Sequence, residues 1–141
     1  MIDRFHGFIK GWQIPRMRES MKAHGWSLNV EYFSEILHAL REEIRYRAIV
    51  DELIHIPKGA DTRDTEAIKR LTTAFLKLLF PHVSSVGDVD CHEFELFCLK
   101  PAIEMRRIIR LQLHLMDQEY SPCLPAIEMK NQENLSHNPS P

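Results

Sequence analysis

The run Asp61-Thr62-Arg63-Asp64-Thr65-Glu66-Ala67-Ile68-Lys69-Arg70-Leu71-Thr72-Thr73-Ala74-Phe75-Leu76-Lys77-Leu78-Leu79-Phe80-Pro81 decides what kind of fold this chain builds. Asp61 carries a short acceptor able to take the first unpaired backbone N–H groups of a helix. Pro81 cannot continue one. Between them Ile68, Leu71, Phe75, Leu78 and Leu79 recur every three or four residues, which predicts a helix over 62–80 with one apolar stripe. Arg63 stands out within it. A cation in the first turn gains nothing from the helix macrodipole. Something anionic nearby explains it, and weak propensity explains it as well.

Outward from this helix the pattern stays helical. Asn29 is a candidate N-cap for a helix to about Tyr46, whose apolar set is Val30, Phe33, Ile36, Leu37, Leu40 and Ile44. Residues 47–56 fit one short amphipathic helix, Pro57-Lys58-Gly59 a loop, and 16–24 a short helix that Gly25 ends. Asp90 with Glu93 resembles a capping box and opens a helical run to about Met116, with a kink or break expected at Pro101. Residues 5–12, aromatic-rich between glycines, read as one short strand with no partner strand in sight. The fold class is therefore mainly α: a helical bundle preceded by one short orphan β-strand. A lone strand leaves its edges unpaired, so the chain looks cut from something larger. From Ser121 the composition turns to Pro and Asn and reads as a flexible tail over 121–141. Pro-Ala-Ile-Glu-Met occurs at 101–105 and again at 125–129, without the wider similarity of a structural repeat.

The 141 residues (16.6 kDa) suit one compact domain. Lys+Arg 18 against Asp+Glu 20 gives a net charge of -2, so no overall basic field draws the chain to nucleic acid or membrane. The glycines, at 7, 11, 25, 59 and 87, have neither G-x-x-x-x-G-K-[ST] nor G-x-G-x-x-G spacing, which excludes a self-contained phosphate loop. Cys91, Cys98 and Cys123 are odd in number and lack a C-x-x-C pair, as reduced thiols would be. Charge at Asp3 and Arg4, with no apolar run behind it, argues against a signal peptide. No stretch is apolar for long enough to span a membrane. A cytoplasmic setting is expected, with no membrane partner.

Residues that could carry chemistry are few. His82, Cys91, His92 and Cys98 fall close together, yet Cys91 and Cys98 at i,i+7 read better as core filling than as ligands, and no metal site is expected. Asp88, Asp90 and Glu93 lack the twelve-residue calcium-loop pattern. No H-E-x-x-H or G-x-S-x-G motif occurs. Lys100, Arg106, Arg107 and Arg110 can gather on one helix face by their spacing. That face is either solvated and paired to Glu104 or a contact for nucleic acid or an adjacent subunit. Arg4 lies directly before the expected strand, where its side chain can point off a domain edge. Arginine stays ionised and grips phosphate bidentately.

At these residues a resemblance appears. Asp3-Arg4-Phe5-His6-Gly7-Phe8-Ile9-Lys10-Gly11-Trp12-Gln13-Ile14-Pro15, Tyr46-Arg47-Ala48-Ile49-Val50-Asp51-Glu52-Leu53 and Asp61 through Leu71 resemble segments of the BREX-system Lon-like proteins (BrxL). So do Phe75 through Pro81 and Glu104-Met105-Arg106-Arg107, to about Tyr120. The family is ATP-dependent, Lon-type protease-like and active in phage defence, with an AAA+ core similar to the MCM helicases. The resemblance implies that Arg4 is the arginine finger, a catalytic contact to the γ-phosphate of a neighbouring subunit's ATP. It implies that Arg63 is the sensor-2 arginine of the lid, in contact with the same cofactor. Residues 1–15 would be the last AAA+ strand and 16–120 the α-helical lid. ATP and Mg2+ would be bound mainly by Walker segments expected before Arg4, and a Ser–Lys peptidase domain would follow Tyr120. Neither pattern occurs in these residues. The implied partners are AAA+ subunits, in a homo-oligomer or a split protein. A stand-alone helical interaction or DNA-contact module is the competing reading.

Overall fold

In the computed structural model, which describes residues 1–130, the chain is mainly α-helical. Its helices are α1 (Val30–Arg41), α2 (Arg45–Leu53), α3 (Thr62–Leu79), α4 (Cys91–Phe94) and α5 (Lys100–Met116). A π-helical turn, Glu95–Leu99, joins α4 to α5. Strands β1 (Ile54–His55) and β2 (Glu128–Met129) pair antiparallel, Ile54 with Met129 and His55 with Glu128. The described residues divide into two compact units, one of Met1–Phe8 with residues 44–130, the other Ile9–Glu43.

The first unit holds the core. The α3 helix starts where Asp61 accepts the N–H groups of Arg63 and Asp64, at 2.8 and 3.2 Å, and stops before Pro81. It packs between α2 on one side and the π turn and α5 on the other. Tyr46, Val50 and Leu53 of α2, Ile68 and Leu76 of α3, and Phe94, Cys98 and Ala102 fill the space between them. The Tyr46 hydroxyl donates to the Pro81 carbonyl at 2.8 Å, tying the start of α2 to the end of α3. The buried face of α3 is Asp64, Ala67, Ile68, Thr72 and Leu76. It is rotated from the apolar stripe of the sequence, and Leu78 and Leu79 are half exposed. The rotation carries Asp64 inward, where arginines of α5 meet it.

Asp90 accepts the Glu93 N–H at 2.9 Å, as the capping pattern predicts. Pro101 lacks an N–H, and its ring crowds the carbonyl one turn back. The disturbance expected there takes the form of the π-helical turn immediately before it, whose wider winding leaves the helical run unbroken.

The strand expected at 5–12 does not form. Phe5 and Lys10 have extended backbone angles, but no ladder runs along the segment, and a 3-10 turn occupies Gly11–Gln13. A strand needs a neighbour's N–H and C=O groups, and the only ladder among the described residues is β1–β2. The carbonyls of Asp3 and Phe5 accept instead from Arg106 on α5. Gly7 lies so close to α5 that an added Cβ would come within 2.8 Å of the Met105 Cβ. Gly59, at φ +81°, supplies the left-handed turn of the loop before Asp61. Residues 121–130, tail-like by composition, dock on this unit: Ile127 is buried, β2 pairs with β1, and Lys130 N–H donates to the Leu53 carbonyl at 2.8 Å. The rest of that expected tail, 131–141, lies outside the described residues.

In the second unit the Asn29 side chain accepts from Glu31 and Tyr32 N–H, and α1 ends at Arg41, short of the expected Tyr46. Only a 3-10 turn, Glu19–Met21, forms where a short helix was expected at 16–24. No residue of this unit is buried.

Candidate functional site

The first unit brings Arg4 and Arg63 into one cleft. Arg4 ends a 3-10 turn, Ile2–Arg4, closed by Phe5 N–H donating to the Ile2 carbonyl at 2.9 Å. Arg63, Glu66, Ala67 and Arg70 follow one another at i, i+3, i+4 and i+7 and so share one face of α3. Together with Asp3, Arg4 and His6 they line a cleft of about 270 Å³. Arginines from two distant parts of the sequence thus face the same volume.

The charges there are unequally engaged. Arg63 is exposed and ion-paired to Asp3. The anion that a first-turn arginine called for is therefore present within the chain. Glu66 accepts from Arg47 at 2.8 Å and stands 3.8 Å from Arg70, so Arg70 is held only loosely. The exposed Arg4 guanidinium makes no ion pair among the described residues. Burial, with Arg70 and then Arg106 nearby, pushes the His6 imidazole below its ordinary value, because each disfavours a further cation. Burial alone would raise the Asp3 carboxyl, but the hydrogen bonds from Arg63 and Arg106 outweigh it and hold Asp3 below the usual carboxylate range. The cleft thus sets three arginines against two carboxylates, both already paired with arginine.

Beneath it lies a buried charge network. Arg106, 1% exposed, donates from Nε to Asp64 Oδ1 at 2.7 Å and from Nη2 to Asp3 Oδ1 at 2.9 Å. Its Nη1 donates to the carbonyls of Asp3, at 3.1 Å, and of Phe5. Arg110 Nη1 meets Asp64 Oδ2 at 3.1 Å, and its Nε donates to the Ser121 carbonyl at 2.7 Å. This corrects the expectation of one basic face on α5. Arg106 and Arg110 point inward, where carboxylates repay part of their desolvation, while Lys100 and Arg107 stay outside beside Glu95 and Glu104, each at 3.1 Å. The four do not form one surface.

The sequence reading missed Arg70, His6 and Asp3. The i,i+7 spacing of Arg63 and Arg70 was available as a signal; the approach of residues 3–6 to α3, with Asp3 paired to Arg63 and bonded to Arg106, joins parts distant in sequence and was not. Among the described residues no three His, Cys, Asp or Glu side chains gather as metal ligands. Burial pushes the Cys98 thiol up to about 12, so it remains an un-ionised core group. No helix among the described residues is long and apolar enough to cross a membrane.

Fold and cleft together define a mainly helical domain with a cleft lined by three arginines and two carboxylates. The model of one family, the Lon-like protease BrxL-like ATPase domain, matches residues 1–125. The chain belongs to that family. It is 31% identical over 113 residues to the Lon-like protease BrxL of Escherichia coli O9:H4 (strain HS), covering 79% of this chain and 15% of that protein. To the Lon-like protease BrxL of Bacillus cereus (strain H3081.97) it is 26% identical over 112 residues, covering 79% of this chain and 16% of that protein. The chain thus spans about a sixth of the length of these relatives.

Proposed function

We propose that this chain is the arginine-bearing lid of an AAA+ ATP site, supplying Arg4 as arginine finger and Arg63 as sensor to a nucleotide held by another subunit. The observation that carries this reading is the convergence on one cleft of Arg63 and an Arg4 that has no ion pair among the described residues. Two cations directed at one volume suit a terminal phosphate, whose charge grows on the transferred group as its bond to the leaving oxygen breaks. Arg70 adds a third positive charge from the same helix face. The phosphates must compete with Asp3 for Arg63, so binding would release that carboxylate.

ATP and Mg2+ would supply the phosphoanhydride and its charge neutralisation. The cleft fits the anionic end of such a ligand. Its own carboxylates, Asp3 and Glu66, are taken up by arginine, so the Mg2+ ligands and the phosphate loop belong to the partner subunit. In this reading the partners are AAA+ subunits, the setting is the cytoplasm, and the parent function is BREX-type phage defence by a Lon-like ATPase. The burial of Arg106 and Arg110 removes half the basic patch that a DNA-contact module would have used.

The test mixes this chain with a family ATPase subunit that carries the phosphate loop. ATP hydrolysis should rise on addition, and Arg4→Ala should abolish the rise. No rise with an intact partner would sink the reading.

A further inference from the structure

The hydrogen bonds of Arg106 surround one residue. Its Nη1 donates to the carbonyls of Asp3 and Phe5, the two residues flanking Arg4, and its Nη2 holds the Asp3 carboxylate. Its Nε is fixed by Asp64, the residue next to Arg63 on α3. Asp64 in turn faces Arg110, which Ser121 anchors. Among the described residues Arg4 itself makes only the backbone bond of its turn, to the Met1 carbonyl at 3.2 Å. Its placement must therefore come from neighbours, and one planar guanidinium contacts both of them.

We propose that Arg106 is a positioning residue: it sets the backbone of Arg4 against α3, and so fixes the separation of Arg4 from Arg63. A rigid fork suits this task. Its donors leave from three nitrogens in one plane and reach the two carbonyls and two carboxylates at the same time. A lysine has one nitrogen and cannot span them. Arg106 and Arg110 meet the buried carboxylates Asp3 and Asp64, and Arg63 pairs with Asp3 from the exposed side. Such a network adds little to stability over a well-packed apolar group, but it does specify one arrangement.

The first measurement needs no variant. In the native chain, NMR couplings across the hydrogen bonds should link the Arg106 guanidinium to the carbonyl carbons of Asp3 and Phe5; their absence would overturn the proposal. The second uses Arg106→Lys, which keeps the charge. Backbone order parameters of Arg4, Phe5 and His6 should fall from about 0.85 to below about 0.6, with those of residues 67–76 unchanged. Unchanged order at Arg4 in a folded Arg106→Lys chain would also overturn it.

A third arm rests on the proposed function and reads inorganic tripolyphosphate affinity. Arg106→Lys should weaken binding several-fold in the native chain and hardly at all in an Arg4→Ala background, since the two act through one residue. Equal losses in both backgrounds would show that Arg106 does not act through Arg4. If Arg4→Ala alone leaves affinity unchanged, the phosphate role of Arg4 fails while the order parameters still judge the positioning role.

Discussion

Two helices of similar pattern meet opposite fates in this chain. Both α1 and α3 open with a capping side chain, Asn29 or Asp61, and both carry an apolar stripe at helical spacing. The α3 helix buries five residues, two of them polar, against α2 and α5, whereas α1 buries none and leaves Val30 at 78% exposure. Amphipathic spacing thus specifies a helix and a preferred face, but burial requires a second surface. The first unit supplies one through Tyr46, Phe94 and Cys98; residues 9–43 do not supply one to themselves. Stability should reside in the first unit, and it can be tested there.

The largest effect is expected at the buried charges. Arg106→Met leaves Asp64 and Asp3 without their main partner and should cost about 3–5 kcal/mol, read from urea denaturation followed by circular dichroism. Leu76→Ala, at a fully buried site on α3, should cost about 2–5 kcal/mol, while Leu37→Ala on α1 should stay within about 0.5 kcal/mol. Equal losses from the two leucines would break the contrast between the helices. Tyr46→Phe removes the bond to the Pro81 carbonyl and the weaker one accepted from Arg45 Nη2, and should cost about 1–2 kcal/mol.

Acid sharpens the same contrast. Asp3 and Asp51 are held below the ordinary carboxylate value of 3.8. The unfolded chain therefore takes up their protons first, and their contribution is present above that pH and lost as pH falls through the folded values. His6 lies below 6.5 when folded, so its protonation also favours unfolding as pH drops below that point. The urea midpoint of the first unit should fall slightly from pH 7 to 5 and steeply below 4; a midpoint independent of pH would contradict these placements. The smallest effect is spectroscopic. Trp12 and Trp26 both lie in the second unit and are already exposed, so tryptophan emission should barely shift during a urea transition that circular dichroism records fully.

The capped helix starts at Asn29, Asp61 and Asp90 could be read from sequence because a cap is a local interaction between a side chain and N–H groups two or three residues away. The exact buried face of α3 could not, because Asp64 turns inward only for Arg106 and Arg110, more than forty positions later. The orphan strand failed for the same reason. At its start the extended backbone was readable, but the Phe5 carbonyl accepts from an arginine rather than from a strand. Pro-Ala-Ile-Glu-Met makes the point within one chain: at 101–105 it lies in α5, while at 125–129 it is non-helical and ends in β2. At the site, Arg4 and Arg63 could be singled out by context, but their meeting in one cleft depends on the buried network between them.

That meeting is the central claim, and side-chain NMR tests it most directly. In the full chain titrated with tripolyphosphate, the guanidinium signals of Arg4 and Arg63 should shift together along one binding curve, with Lys100 and Arg107 unmoved. Separate curves for Arg4 and Arg63, or shifts confined to Lys100 and Arg107, would contradict it.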